Sequence, residues 1–250
     1  MGTKTLALPL GVGYRTAEAL LWPWMMALTR RDWRGQEHLG GHGEGLVVAP
    51  NHISFFDPLV MAHFLHDSGR PPRFMGKQAV FDVPVVGRIL RGAGQIPVTR
   101  DKDPHKALAA AEAAIRAGES VVMYPEGTIT RDPDIWPMSG RTGALRLALE
   151  TGAPLIPVAQ WGAHEVMAPY SKQIRLLPRT LMQVTAGAPL DIDDLRDRPI
   201  TKSLLEQGTD RLLDAIAALL ADIRGERPPA QRLDWAAAQR NRTRATEEEN

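Results

Sequence analysis

Short apolar runs alternate with helix-like segments along most of this chain, and this alternation constrains its fold more than any other feature. Strands that alternate with helices are typical of α/β folds with much parallel pairing. We therefore predict an α/β protein with a mixed, largely parallel central sheet flanked by helices. The predicted strands are 46–49, 73–76, 95–99, 120–125, 154–160, 173–177 and 181–187. The predicted helices are 57–65, 105–117, 143–150 and 203–224, with a short one between 76 and 95.

Composition limits the class of protein. The chain has 250 residues, of which 44% are hydrophobic, enough for one main domain with a sizeable core. A net charge of +1 argues against a nucleic-acid partner. The absence of cysteine excludes disulfides, thiolate catalysis and cysteine metal ligands. Arginine greatly outnumbers lysine, which favours a bacterial origin.

Residues 14–34 predict an interfacial helix or helical pair. Trp22 and Trp24 stand in an apolar stretch that is too short to cross a bilayer, which takes about 20 residues. Tryptophan beside arginine is typical of a monotopic anchor at a membrane surface. An ordinary core helix is the alternative, and Pro23 is expected to kink or break the helix. The flanking arginines are Arg15, Arg30, Arg31 and Arg34.

The two ends of the chain are predicted to differ from its middle. We divide it into an N-terminal interfacial segment, 1–34, a main domain, 35–225, and a C-terminal tail, 226–250. The tail contains Pro228-Pro229 and many charged residues, so we predict that it is disordered. A short extra helix over residues 233–240 is the alternative.

The first polar block is Asn51-His52-Ile-Ser-Phe-Phe-Asp57, at the end of a predicted strand. Histidine suits proton abstraction near pH 7, and a carboxylate on its other ring nitrogen orients it. On a regular helix the two side chains would lie about 140° apart around the axis, so they can meet only across a turn. Pro58 supports a helix start there. Alternatively, Asp57 caps the helix and His52 is a surface histidine.

Two further blocks follow later strands. Gly94-Gln-Ile-Pro-Val-Thr-Arg100 ends in a guanidinium, which binds phosphate through two parallel hydrogen bonds, although Arg100 could instead pair with a nearby aspartate. Pro125-Glu-Gly-Thr128 places a glycine between a carboxylate and a hydroxyl, which permits close backbone approach to a ligand. Glu126 could bind a hydroxyl group or steady Arg100. A tight turn with a solvated Glu126 is the alternative.

In this order, the blocks resemble those of the 1-acylglycerol-3-phosphate O-acyltransferase family, part of the glycerolipid acyltransferase superfamily. The matching segments are His52–Asp57, Gly94–Arg100, Pro125–Thr128 and Leu155–Val158. The resemblance covers roughly residues 33–224, so the main domain is predicted to be a glycerolipid acyltransferase domain.

The resemblance also implies roles for individual residues. His52 would be the general base and Asp57 its partner, while Arg100 would bind the phosphate of the acceptor. The implied acceptor site also includes Lys77, Glu126, Gly127 and Thr128.

Two positions depart from the family pattern. The family usually has arginine directly after Glu-Gly-Thr, where this chain has Ile129, and Arg131 comes two residues later. A lysine is common near the following helix, where this chain offers Arg141. We include Arg131 and Arg141 among the predicted substrate-binding residues.

The implied reaction moves a fatty acyl chain from acyl-CoA or acyl carrier protein to the hydroxyl of 1-acylglycerol 3-phosphate, giving phosphatidic acid. It needs no covalent intermediate, metal or cofactor. Glycerol 3-phosphate or another lipid is the alternative acceptor, and a membrane-binding, lipid-binding module is the non-enzymatic alternative. The expected location is the cytoplasmic face of the cell membrane, peripheral or monotopic, through residues 14–34.

Overall fold

The computed structural model describes residues 12–40, 45–98, 104–235, 237 and 238. Within these residues seven strands form one sheet. The strands are β1 Thr29–Arg34, β2 Leu46–Pro50, β3 Pro72–Lys77, β4 Ile96–Val98, β5 Ser120–Val122, β6 Leu155–Trp161 and β7 Thr180–Ala186. The helices are α1 Val12–Leu28, α2 Asp57–Asp67, α3 Gln78–Phe81, α4 Val86–Gly92, α5 Pro104–Arg116, α6 Gly143–Thr151, α7 Ala163–Val166, α8 Asp193–Arg196 and α9 Lys202–Arg224, with a 3₁₀ turn at Gln36–Leu39.

The sheet is mixed and mostly parallel, which confirms the predicted fold class. Its strand order is β1-β7-β6-β2-β5-β3-β4. Of the described pairs only β6 with β7 is antiparallel. Strands β2 to β6 therefore all end at one edge of the sheet, which we call the carboxyl edge. Because β7 runs the other way and β1 is parallel to it, both of these strands begin at that edge.

Helices cover both faces of the sheet. One apolar layer joins α5, α6 and α9 to the sheet, and the other joins α2, α7 and the end of α1. Every residue of β2 is buried, which is why it reads in the sequence as a continuous apolar run rather than an alternating one. The central strand and the turn that follows it are thus held from both sides.

The N-terminal segment differs from the prediction beyond residue 28. Helix α1 ends at Leu28, where the Thr29 hydroxyl donates a 2.6 Å hydrogen bond to Met25 O. Residues Thr29–Arg34 then form edge strand β1, because their backbone groups pair with β7. Of the two expected effects of Pro23, a kink or a break, the break does not occur, since α1 continues through it. Packing of Trp22 against the rings of His63 and His66 on α2 holds this part of α1.

Two C-terminal predictions also differ from the structure. Residues 173–177 form no strand, because this exposed stretch has no neighbouring strand to pair with. The predicted tail lies partly against the domain within its described part, residues 226–235, 237 and 238. There Leu233 O accepts a hydrogen bond from Ser139 N, and Arg232 pairs with Asp210 and Asp214 of α9.

Among the described residues, no helix is both long and apolar enough to span a bilayer.

Candidate active site

Polar side chains gather where the parallel strands end. Asn51 and His52 follow β2, and Tyr124 and Glu126 follow β5, the neighbour of β2. Lys77 ends β3, in register with Val98 at the end of β4. Ligands of open α/β sheets bind at this edge. The topology thus brings residues from distant parts of the sequence to one place.

The end of β2 is fastened to β6 by two buried amide side chains. Asn51 Nδ2 donates to Gln160 O at 3.1 Å, and Gln160 N donates to Asn51 Oδ1 at 2.7 Å. In return, Gln160 Nε2 donates to Asn51 O at 2.8 Å. Both residues are almost completely buried. These three hydrogen bonds, which we call the Asn51–Gln160 lock, fix the backbone immediately before His52.

His52 and Asp57 meet across a turn. Residues 51–54 are irregular, Asp57 N–H donates to Ser54 O, and α2 begins at Asp57. The His52 Nδ1 atom lies 2.8 Å from Asp57 Oδ2. The same oxygen accepts the backbone N–H groups of Ile53 and Ser54, at 2.6 and 2.8 Å. The structure therefore places the pair as the predicted turn requires, and Asp57 also fixes the shape of that turn.

Burial and hydrogen bonding act on Asp57 in opposite directions. The side chain is fully buried, and this burial raises the pKa of its carboxyl group. Hydrogen bonds from His52, Ser54 and Ile53 oppose the shift because they favour the charged form. With Nδ1–H directed at Asp57, the neutral imidazole of His52 keeps its lone pair on Nε2. The His52 side chain is 16% exposed, so the ring is not sealed off from solvent.

Glu126 links the backbone of His52 to the backbone of Met138. Its Oε1 accepts from His52 N at 2.9 Å, and its Oε2 accepts from Met138 N at 3.1 Å. Burial raises the pKa of Glu126 to about 8, although the two backbone hydrogen bonds oppose this shift. Each oxygen of the buried Glu126 thus holds one backbone group, so the side chain supports the local structure of the site. Its predicted part in substrate binding stays a prediction.

The Tyr124 ring packs against one face of the His52 imidazole. The two rings stack with centroids 4.2 Å apart and planes 26° apart. Burial, followed by the nearby Asp57 carboxylate, raises the pKa of Tyr124 well above its ordinary value. Tyr124 therefore stays protonated and holds the imidazole plane in one orientation.

The loop after Glu126 wraps around His52. Thr130 N donates to His52 O at 2.7 Å, which ties the loop to the end of β2. Gly127 has φ +68°, and a Cβ there would lie 2.8 Å from Arg141 Nε. Glycine is thus required both for the backbone conformation and for the position of Arg141. The exposed Arg141 lies directly beside the Gly127 backbone.

Arg131 is held against Tyr170, which lies between α7 and β7. Its guanidinium carbon is 3.4 Å from the Tyr170 ring centroid. The Tyr170 hydroxyl donates to Ile129 O and lies 3.5 Å from the hydroxyl of Thr128. Ile129 itself is buried, so it does not replace the cation that the family usually carries at this position. Arg131 is exposed beside it, fixed by stacking.

The remaining predicted cations lie on the β3–β4 side of the carboxyl edge. Lys77 is exposed at the end of β3. Arg100 lies outside the described residues, two positions after the end of β4. Among the residues that the structure describes, no cluster of three or more histidine and acidic side chains could hold a metal ion.

Sequence reasoning missed four residues that shape the site. Asn51, Tyr124, Thr130 and Tyr170 act through contacts between segments that are distant in the chain. Tyr124 and Thr130 flank the Glu-Gly-Thr block, and Asn51 precedes His52, so proximity to the motifs was an available signal. Tyr170 follows no motif and lies in a stretch predicted to contain only a short strand.

The fold and site together define an α/β protein whose carboxyl edge presents a histidine oriented by a buried carboxylate. The family described as Acyltransferase matches residues 30–161, which is more than half of the chain. The chain belongs to this acyltransferase family.

Similar proteins include 1-acyl-sn-glycerol-3-phosphate acyltransferase BAT2 of Brassica napus, 30% identical over 148 residues, which are 58% of this chain and 41% of that protein. The 1-acyl-sn-glycerol-3-phosphate acyltransferase of Borreliella burgdorferi is 29% identical over 121 residues, 48% of this chain and 46% of that one. The matched segments thus span less than half of these relatives.

A solved structure shares the fold. The 1-acyl-sn-glycerophosphate acyltransferase PlsC of Thermotoga maritima superimposes with a TM-score of 0.64 at 16% identity, covering 86% of this chain and 81% of that one. At this level of identity the match concerns the arrangement of strands and helices.

Proposed function

We propose that this protein is a 1-acylglycerol-3-phosphate O-acyltransferase that forms phosphatidic acid with His52 as general base. The observation that carries the proposal is the 2.8 Å contact of His52 Nδ1 with Asp57 Oδ2, which leaves Nε2 free for a substrate proton. The named activities of the Brassica napus and Borreliella burgdorferi relatives support the same reaction.

The proposed reaction is one direct transfer. His52 Nε2 removes the proton of the acceptor hydroxyl while its oxygen attacks the thioester carbonyl of acyl-CoA or acyl carrier protein. Backbone N–H groups at the carboxyl edge would stabilise the negative oxygen that develops. The carbon–sulfur bond then breaks, and the His52 imidazolium returns the proton to the departing thiolate. Asp57 stabilises the imidazolium in between.

The acceptor phosphate would bind to cations around the same edge. Arg131 is the best oriented of them, because stacking on Tyr170 fixes its planar guanidinium. Arg141 lies beside Gly127, and Lys77 and Arg100 belong to the ends of β3 and β4. Fixing the phosphate positions the acceptor hydroxyl next to His52, which contributes to the rate through orientation.

The proposal includes attachment to the cytoplasmic face of the cell membrane. Helix α1 exposes Trp24, with 67% of its surface accessible, and Leu21. Tryptophan and leucine on an otherwise docked helix fit the apolar face of an interfacial element. Such attachment would bring the site to the surface in which a lysophospholipid acceptor and its product reside.

The direct test is acyl transfer by the purified protein. Palmitoyl-CoA is offered with lysophosphatidate and with glycerol 3-phosphate in parallel, and the new ester is located in the product. We expect lysophosphatidate to be preferred. His52→Ala should lower kcat by about 10²–10⁴-fold, the usual contribution of a general base, with an unchanged circular dichroism spectrum.

A matched histidine variant controls for nonspecific effects. His38 lies in the 3₁₀ turn that follows β1, at the edge of the sheet opposite the carboxyl edge. His38→Ala should leave kcat unchanged. A His52→Ala protein that keeps a near-normal rate would rule out the general-base mechanism. Preference for glycerol 3-phosphate would replace the proposed acceptor with the alternative one.

A further inference from the structure

The segment between α7 and β7, residues 168–179, exposes an unusual amount of apolar surface; we call it the 168–179 loop. Residues 172–179 are all exposed. Ile174 and Leu177 have 56% and 77% of their surface accessible, and Leu176 is also exposed. Scattered single apolar residues on a surface are ordinary, whereas a contiguous group marks an interaction site.

The charges of this loop have one sign. Lys172, Arg175 and Arg179 alternate with the apolar residues, and no aspartate or glutamate occurs between 168 and 179. In the described part of the chain, neither Lys172 nor Arg175 forms an ion pair. Exposed aliphatic side chains interleaved with cations are complementary to an anionic lipid surface, which offers acyl chains beneath negative headgroups.

One end of the loop is attached to the candidate active site. The Ser54 hydroxyl, in the His52–Asp57 turn, donates to Met167 O at 2.6 Å. Tyr170 contacts Arg131 and the carbonyl of Ile129, and its ring meets Phe55 edge to face at 6.3 Å. A surface bound by this loop would therefore lie next to the proposed acceptor site.

The other end of the loop is attached to α1. Arg179 Nη2 donates to Met26 O at 3.0 Å and to Thr29 O at 2.8 Å, at the carboxyl end of that helix. Strands β1 and β7 both begin there, at the carboxyl edge. The exposed Trp24 lies within one turn of Met26 on the same helix. The loop is thus continuous with the helix that we propose to bind the membrane.

We propose that the 168–179 loop is a second membrane-binding element, which inserts Ile174, Leu176 and Leu177 into an anionic bilayer while Lys172 and Arg175 contact its headgroups. The inference rests on the proposed function, in which the acceptor lies in a membrane. With α1 on one side and the active site on the other, the loop sets the orientation in which the carboxyl edge faces the lipid. An acidic carrier protein could also meet a cationic surface, but it would not require continuity with α1.

The test is co-sedimentation of the full chain with phosphatidylcholine vesicles, with and without phosphatidylglycerol. The variant Leu176→Ser/Leu177→Ser should lower the partition coefficient on both vesicles, by roughly tenfold for each leucine that inserts. Lys172→Gln/Arg175→Gln should lower it only on the anionic vesicles, by roughly fivefold for each cation. Ile200→Ser is the matched control, because Ile200 is an exposed apolar residue beyond the opposite end of β7.

The readouts separate this inference from the proposed function. Acyl transfer to detergent-solubilised lysophosphatidate should be the same in both loop variants and in the unaltered protein, and their melting temperatures should agree. Vesicle binding lost without loss of this activity supports the inference. A protein that binds vesicles through the loop but transfers no acyl group would contradict only the proposed function.

Three results would overturn the inference. The first is an unaltered chain that does not bind either vesicle. The second is loop variants that bind normally while Trp24→Ser abolishes binding, which would assign the contact to α1 alone. The third is loop variants that bind vesicles normally but no longer bind an acidic acyl carrier protein, which would assign the surface to a protein partner.

Discussion

At the scale of single residues, one oxygen of Asp57 organises the candidate site. Oδ2 accepts hydrogen bonds from His52 Nδ1, Ile53 N and Ser54 N, so a single acceptor both shapes the turn and orients the imidazole. In the described part of the chain, Oδ1 is buried without a hydrogen-bond partner. Within the described residues, only Oδ2 of this carboxylate therefore forms hydrogen bonds, so the charge of Asp57 can be tested separately from its hydrogen bonds.

Asp57→Asn should keep the fold and lose the activity. The amide oxygen can take the place of Oδ2, while the NH₂ group occupies the position of Oδ1, where no existing bond is lost. The neutral amide cannot stabilise the imidazolium, so we expect kcat to fall by about 10³–10⁴-fold. The measurements are acyl transfer and thermal unfolding.

Asp57→Ala is the companion variant. It removes the acceptor of two backbone N–H groups and should also lower the free energy of unfolding by about 1–3 kcal/mol. Equal kcat values for the unaltered protein and Asp57→Asn would show that the carboxylate charge has no part in catalysis.

Glu126 should make stability depend on pH. Its folded pKa is raised to about 8 from an ordinary 4.5. Between these values the unfolded chain has released the proton while the folded chain keeps it, so the free energy of unfolding falls as pH rises, by at most about 1.4 kcal/mol per pH unit. Relative to the protein with Glu126, Glu126→Gln should lack this slope. Denaturant unfolding at several pH values measures it.

The difference in stability between the unaltered protein and Glu126→Gln also contains a contribution that does not depend on pH. The amide nitrogen of glutamine cannot accept a hydrogen bond, so the variant loses the bond from either His52 N or Met138 N. At the acidic end of the window it should be the less stable protein, by about 1–3 kcal/mol. A difference in stability that stays constant from pH 4.5 to 8 would contradict the raised pKa.

At the scale of secondary-structure elements, the site depends on how β2 is joined to its neighbours. Strand β2 ends at Pro50, which pairs with Val158 of β6, and the side chains of Asn51 and Gln160 join the two segments beyond this last paired residue. The loop after β5 then closes over the same backbone through Thr130 and Glu126. His52 is thus held by two strands and one loop.

Asn51→Ala should weaken this junction. It leaves the backbone N–H and C=O of the fully buried Gln160 without their side-chain partners, and each unsatisfied group costs about 1–3 kcal/mol. We expect a loss of unfolding free energy and a lower kcat, because His52 is no longer positioned. Of the three bonds of the lock, Gln160→Ala removes only the one to Asn51 O and should cost less. Denaturant unfolding and acyl transfer measure both variants, and an Asn51→Ala protein with unchanged stability would argue against the lock.

At the scale of the whole molecule, the sheet separates the apolar layer next to the candidate site from the apolar layer formed by α5, α6 and α9. The His52–Asp57 turn leads into α2, which packs in the apolar layer with α7 and the end of α1. Helix α9 packs with α5 and α6 in the other layer. Changes within the α9 layer should therefore affect stability before they affect chemistry.

Leu213→Ala tests this separation. Leu213 is fully buried on α9, so the substitution should lower the free energy of unfolding by about 2–5 kcal/mol. The kcat of the folded fraction should stay unchanged, measured well below the melting temperature. Leu219→Ala, at a partly buried position of the same helix, should cost less. A reduced kcat in a fully folded Leu213→Ala protein would show that the two layers are coupled.

The sequence predicted the buried strands, but it missed one edge strand and predicted one strand that does not form. Buried strands such as β2 and β6 were recognisable because both of their faces are covered, so their residues are continuously apolar. Edge strand β1 was missed because Thr29–Arg34 is polar and pairs on one side only, through backbone groups that carry no sequence signal. The 173–177 prediction failed for the opposite reason: its apolar residues face outward.

The motifs by themselves determined the family, the α/β class and the condition that His52 and Asp57 meet across a turn. These follow from local spacing and from chemistry that each short block carries. Only the tertiary structure decided that Glu126 braces the His52 backbone, that Tyr124 stacks on the imidazole and that Arg131 rests on Tyr170. These contacts join residues far apart in the chain, and their distances are fixed by strand order and packing, which no single segment encodes.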